Sequence, residues 1–140
     1  MNINEIQDEI IEEFSLFDNN NDKYNYIIEL GKKLPLLPEN HRTPDFLIKG
    51  CQSQVWIHPE ILNLNVHLAG DSDSVLVKGL VSLMIRVLSG QLPQAVAQAD
   101  LYFLDRIGMR QLLSMNRSNG LAAMIKQIKL YGLAYAMQAA

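Results

Sequence analysis

The chain has 140 residues, 49% of them hydrophobic and 19% charged, with a formal net charge of −3; this suits one domain over residues 1–140 that buries roughly two thirds of its unfolded surface. Its single cysteine excludes an internal disulfide and fits a reducing compartment, and the acidic start lacks the basic and apolar regions of a signal peptide. No apolar run approaches the roughly 18 residues of a membrane span, and no basic stripe with interleaved aromatics fits nucleic acid, so the expectation is a cytoplasmic protein with neither membrane nor nucleic acid as partner.

Ile3, Ile6, Ile10, Phe14 and Phe17 recur at helical spacing, which predicts an amphipathic helix over 3–17. Charge is lopsided here: residues 1–22 hold seven acids and no Lys or Arg, which reads as a solvated helix face. The cluster at 18–22 is loop and cap material, with Asn21 or Asp22 as cap of a second helix. That helix runs to about Lys33, where two lysines favour its negative end and Pro35 forbids continuation. Residues 62–68 alternate, with Leu62, Leu64, Val66 and Leu68 toward a core. Residues 53–58 supply the preceding strand, Pro59-Glu60 the turn, and 46–49 a short third strand.

From Asp71 the pattern becomes helical, with Ser72 or Asp73 as cap and a nearly all-apolar helix from Val75 to Leu88. Lys78, Ser82 and Arg86, four residues apart, give it one narrow wet stripe. Gly90 ends that helix, and short helical pieces follow from Pro93 to about Leu113. A last helix opens between Ser114 and Ser118 and carries Leu121, Met124, Ile125, Ile128 and Tyr135 along one face. The order α-α, hairpin, α predicts the α+β class: a small antiparallel sheet packed against helices.

The chemistry concentrates at Lys49-Gly50-Cys51-Gln52-Ser53-Gln54-Val55-Trp56. A free cysteine is ordinarily a packing residue. This one stands beside a glycine at the edge of a strand, where the chain must turn, rather than inside the alternation. Val55 and Trp56 offer an apolar wall for its thiol. A cysteine hydrolase would need a histidine base and an orienting acid, and His41, His58 and His67 have no obvious one. One cysteine and three scattered histidines make a poor metal set, so no metal is expected. A purely structural interaction protein is the alternative from another class.

The stretch Gly50-Cys51-Gln52-Ser53-Gln54-Val55-Trp56 resembles the sulfur-acceptor signature of the SufE family. Tyr26-Ile27-Ile28-Glu29-Leu30-Gly31 before it, and Gly70-Asp71-Ser72-Asp73, Val77-Lys78-Gly79-Leu80 and Arg117-Ser118-Asn119-Gly120-Leu121 after it, follow the family's order over residues 24–137. The acidic first helix and residues 91–113 match only loosely. The resemblance implies a fold like that of the IscU-type scaffolds, with the cysteine on a loop. It implies a persulfide relay rather than a catalyst acting on a free substrate. Cys51 would accept sulfur from a PLP-dependent cysteine desulfurase of the SufS or CsdA type, stimulate its turnover, and deliver to a SufB-type scaffold complex. The pyridoxal cofactor would belong to the partner, so none is expected here beyond a transient persulfide on Cys51. Gly50, Gln52, Ser53, Asp71 and Asp73 would face or position the partner side of the site. At an ordinary pKa near 8.5 only a few per cent of a thiol is ionised at pH 7. A helix N-terminus contributes about 0.3–1 kcal/mol against roughly 1.4 kcal/mol per pKa unit, so the dipole alone does not suffice. Arg117 at the start of the last helix is the candidate for the remainder, with Gly120 permitting a close approach to the Cys51 loop.

Overall fold

A computed structural model describes residues 1–139. Helix α1 (Ile3–Phe14) opens on a capping box, in which Asn2 accepts from the Glu5 amide and Glu5 accepts in return from the Asn2 amide. It ends three residues before the apolar spacing does, and it buries Ile3, Ile10 and Phe14. It also buries Gln7, whose amide donates to the Asp100 carbonyl at 3.0 Å and whose oxygen accepts from the Phe103 amide at 3.1 Å. The acidic face is not wholly solvated, because Arg86 reaches Glu9 and both oxygens of Glu13 at 2.9 Å. This ties α1 to the central helix. Helix α2 (Asn20–Lys32) is capped by Asn19, not by Asn21 or Asp22. This asparagine, three residues before Asp22, puts its oxygen on the Asp22 amide at 2.8 Å.

The hairpin pairs β1 (Val55–Leu62) with β2 (Asn65–Ser72), and Asn63 and Leu64 form a two-residue turn with φ of 52° and 71°. Both φ values are positive, as the tight hairpin turns that match strand twist require. The turn at Pro59-Glu60 and the inward-facing Leu62 and Leu64 are therefore overturned: Leu64 is 76% exposed at the tip. The physical reason is pairing. The observed register carries eight residues per strand from Val55–Ser72 to Leu62–Asn65, which satisfies more backbone groups than a hairpin closing at 59–60. Pro59 is tolerated because Leu68, opposite it, turns its own amide away to the Ser89 hydroxyl at 2.9 Å, so this pair exchanges no bonds. The third strand is reduced to a bridge between Leu47 and Trp56, with the Ile48 amide on the Val55 carbonyl at 2.8 Å.

Helix α3 (Val75–Leu88) runs through the centre and buries nine of its residues. Ser74 caps it, so neither Ser72 nor Asp73 does; both of those side chains are engaged elsewhere. Short helices α4 (Pro93–Gln98), α5 (Phe103–Arg106) and α6 (Met109–Leu112) lead to α7 (Met115–Ala139). The Ser114 hydroxyl accepts from the Arg117 amide at the start of α7. Leu121, Met124 and Ile128 of α7 face the core. Further along, the Tyr131 hydroxyl donates to the Ile57 carbonyl at 3.2 Å and fastens α7 to β1. The class is α+β, with a two-stranded antiparallel sheet packed on helices. No helix among the described residues is long and apolar enough to cross a membrane.

Candidate functional site

The Cys51 loop leaves the 3-10 turn at Pro44–Phe46 and enters β1. Gly50 carries φ of 91°, a left-handed conformation that a side chain resists, so the chain reverses there and presents Cys51 at the bend. The exit of the loop is clamped at Gln54. The Gln54 amide donates to Asp73 at 3.0 Å, and the Gln54 carbonyl accepts from the Ser72 hydroxyl at 2.8 Å and from the Asp73 amide at 3.2 Å. The Gly-Asp-Ser-Asp segment, whose first three residues end β2 rather than form the turn before a helix, thus holds the entry to β1 three residues from the cysteine.

Asp71 lies beneath this clamp. It is buried, accepts from the Ser72 amide at 2.8 Å, and stands 3.5 Å from both Lys78 Nζ and Arg42 Nε. The Arg42 contact is ionic without a hydrogen bond. The guanidinium covers the Trp56 ring at 4.8 Å from its centroid. Asp73 is exposed, as are Gly50 and Gln52, while Ser53 is half-buried. Trp56 is buried on β1 and does not line the thiol's cavity.

Helix α7 closes the other side. The thiol Sγ lies 3.4 Å from the Gly120 carbonyl oxygen, in position to donate to it. A Cβ at Gly120 would sit 3.4 Å from Sγ and 3.7 Å from the Cys51 Cα, at van der Waals contact, so loop and helix are already closely packed here. Between loop and helices lies a cavity of about 20 Å³, walled by Val77 and Leu80 of α3, by Arg117, Leu121 and Met124 of α7, and by Cys51 with Gln52 and Ser53. The apolar wall beside the thiol therefore comes from α3 and α7, not from Val55 and Trp56. This volume holds about one water-sized atom.

Half-burial pushes the Cys51 thiol above its ordinary value, because the charged form loses solvation. A carbonyl acceptor favours the protonated form further. Arg117 lines the same cavity, but its Nη1 donates to the Tyr24 hydroxyl at 3.2 Å. At rest the surroundings favour the protonated thiol, and the guanidinium that lines the same cavity is held by a tyrosine.

Among the described residues no histidine lines this cavity. His58 lies on β1 and not at a turn; it stacks on His41 with ring centroids 3.5 Å apart. Among the described residues no group of three or more Cys, His, Asp or Glu converges to hold a metal. Sequence reasoning missed the Gly120 carbonyl, the Tyr24 anchor and the Ser72–Gln54 bond. Only the Gly-Asp-Ser-Asp motif signalled the clamp.

The family model described as "Fe-S metabolism associated domain", SufE, matches residues 8–132. The chain belongs to the SufE family. A SufE-like protein of Rhizobium etli is 41% identical over 129 residues, covering 87% of this chain and 86% of its own. Another from Rhizobium meliloti is 38% identical over 127 residues, covering 87% and 91%. In fold, this SufE-family chain is similar to a hypothetical protein from Thermus thermophilus solved in solution. The TM-score is 0.78 at 19% identity, over 94% of this chain and 96% of that one. The association with iron–sulfur metabolism comes from the family, and the fold from both comparisons.

Proposed function

We propose that this chain is a sulfur carrier of iron–sulfur cluster assembly, taking persulfide sulfur from a PLP-dependent cysteine desulfurase onto Cys51 and passing it to a SufB-type scaffold complex. The observation that carries the reading is the lone thiol at a loop bend, pressed against α7 beside a cavity with room for one more atom. The transfer is an exchange with no net redox change. The Cys51 thiolate attacks the outer sulfur of the donor persulfide, a new S–S bond forms at Cys51, the donor's S–S bond breaks, and the donor thiolate leaves and is reprotonated.

The resting site is poorly set for attack, since burial raises the thiol pKa. In this reading the desulfurase draws the loop away from the Gly120 carbonyl. Arg117, released from Tyr24, then supplies the positive charge that ionises the thiol. Gly50, Gln52 and Ser53 move with the loop, Asp73 flanks the exposed side, and Asp71 holds the base of the clamp. A transient persulfide on Cys51 is the only group carried; PLP stays with the desulfurase. The cytoplasm, where thiols are kept reduced, suits this chemistry.

Intact-mass spectrometry after incubation with a desulfurase and L-cysteine tests the proposal. The carrier gains the mass of one sulfur atom, removable by reductant, and Cys51→Ser gains none. No gain on the wild-type chain, or an equal gain on Cys51→Ser, refutes it.

A further inference from the structure

A second region of the molecule is built for binding and shares no residue with the Cys51 cavity. Helix α4 and the far part of α7 enclose an open groove of about 760 Å³ that runs along α7 from Ala122 to Met137. Its floor is apolar: Ala122, Ile125, Leu130, Leu133 and Met137 of α7 with Ala97 of α4. Three of these are large and unusually bare, with Leu130 46%, Leu133 48% and Met137 70% exposed. An exposed, largely apolar strip of this kind on a small protein marks an interaction site.

Among the described residues, the only charged ones on the groove are Lys126 and Lys129. They belong to a wider asymmetry, since from Arg106 onward the sequence holds five bases and no acid. The spacing 122, 125, 129, 133, 136 is that of one helical seam. From Ala122 to Met137 the strip is about 22 Å long at 1.5 Å per residue, which matches about four turns of a second helix. We propose that this groove docks an amphipathic helix of another protein, laying an apolar seam along α7 beside α4 and setting acidic side chains against Lys126 and Lys129.

The same surface argues against two other occupants. A second copy docking through the same face would bring lysine onto lysine. A second copy's α1 would offer acids, but its exposed side carries Asn4, Glu5, Asp8, Glu9 and Glu12 and no large apolar residue. A bilayer is a broad surface, whereas this strip is narrow, confined to one side of α7 and bordered by Gln94, Ala97 and Gln98 of α4.

Three probes offered to the isotope-labelled full chain test the proposal. They are a four-turn helical peptide with leucines at heptad a and d positions flanked by glutamates, its lysine-for-glutamate counterpart, and vesicles of phosphatidylcholine with phosphatidylglycerol. The glutamate peptide is expected to bind at least tenfold more tightly than the lysine peptide, shifting amides of 122–137 and 94–98. The double variant Lys126→Glu/Lys129→Glu reverses that preference. Leu133→Glu weakens the glutamate peptide at least tenfold while leaving urea unfolding and the alkylation rate of Cys51 unchanged. Equal binding of the two peptides, shifts that map elsewhere, tighter binding to vesicles, or concentration-dependent self-association through this face each overturn it.

Discussion

The two ends of α7 belong to one unbroken helix and do opposite things. At its start, Gly120 offers bare backbone, the Cys51 loop presses onto it, and a space of about 20 Å³ is left. About 15 to 20 Å along, at 1.5 Å per residue, Leu130 and Leu133 face outward over an open groove of about 760 Å³. A reactive thiol needs enclosure so that an added sulfur is kept from solvent and stray thiols. A docking surface needs the reverse, apolar area still uncovered. One helix supplies both because its two long faces are apolar, and only one of them is buried in the core.

The sharpest way to break this contrast is to fill the closed end. Gly120→Val is expected to lower desulfurase-dependent sulfur uptake by more than tenfold, because its branched side chain occupies the space beside Sγ, while peptide binding at the far groove is unchanged. Gly120→Ala separates packing from stability. Alanine in a helix gains about 0.8–1 kcal/mol over glycine, and its Cβ meets Sγ at 3.4 Å, which a loop can accommodate. Its Tm is therefore expected to hold or rise while uptake falls. A loss of uptake that tracks a loss of folded protein would remove the cavity from the explanation.

A second, smaller effect is read in the pH dependence of the thiol. Burial raises the folded-state pKa of Cys51, so the folded chain holds its proton more tightly than the unfolded one. Stability is then fully present below the unfolded thiol pKa near 8.5 and declines as pH rises through the folded value. Wild type is expected to lose stability relative to Cys51→Ser above about pH 8.5 in urea titrations. Alkylation of the free protein should titrate above the ordinary thiol value, and Arg117→Ala should superimpose on wild type, because Tyr24 holds the guanidinium. The two profiles separate only with the desulfurase bound. A downward shift of the wild-type thiol in the free chain would contradict the resting geometry.

The smallest expected change lies away from both ends, where Arg86 binds Glu9 and Glu13. Arg86→Ala should cost about 1–2 kcal/mol near neutral pH. The Arg86 hydrogen bond holds the Glu13 carboxyl below its usual value, so this contribution is present above the unfolded carboxylate pKa and lost as pH falls through the folded one. The penalty should shrink in acid, as measured by chemical denaturation. Peptide binding and sulfur uptake should both be unaffected.

Much of this molecule was legible from the residues alone. Helical spacing located α1, α3 and the start of α7 because periodicity reports burial, and cap residues with Pro35 bounded α2. Cys51 stood out because a cysteine beside glycine at a strand edge is poorly explained by packing. The alternation at 62–68 held for Val66 and Leu68, which are buried, and failed at Leu62 and Leu64 for a related reason. It was regular through Leu62 and Leu64, yet those residues flank and form a turn, and a pattern of side chains says nothing about which amides find partners.

What the tertiary structure decided was which groups meet across distance in the chain. The Cys51 thiol against the Gly120 carbonyl, Gln54 clamped by Ser72 and Asp73, Arg117 held by Tyr24, and the acidic face of α1 partly neutralised by Arg86 all join residues at least 18 positions apart. The sequence determined the residue types, the helical faces and the place of the thiol, because these follow from local periodicity and backbone freedom. It left open the thiol's ionisation and the bare half of α7, because both depend on what packs nearby, and packing is settled only when the whole chain has closed on its core.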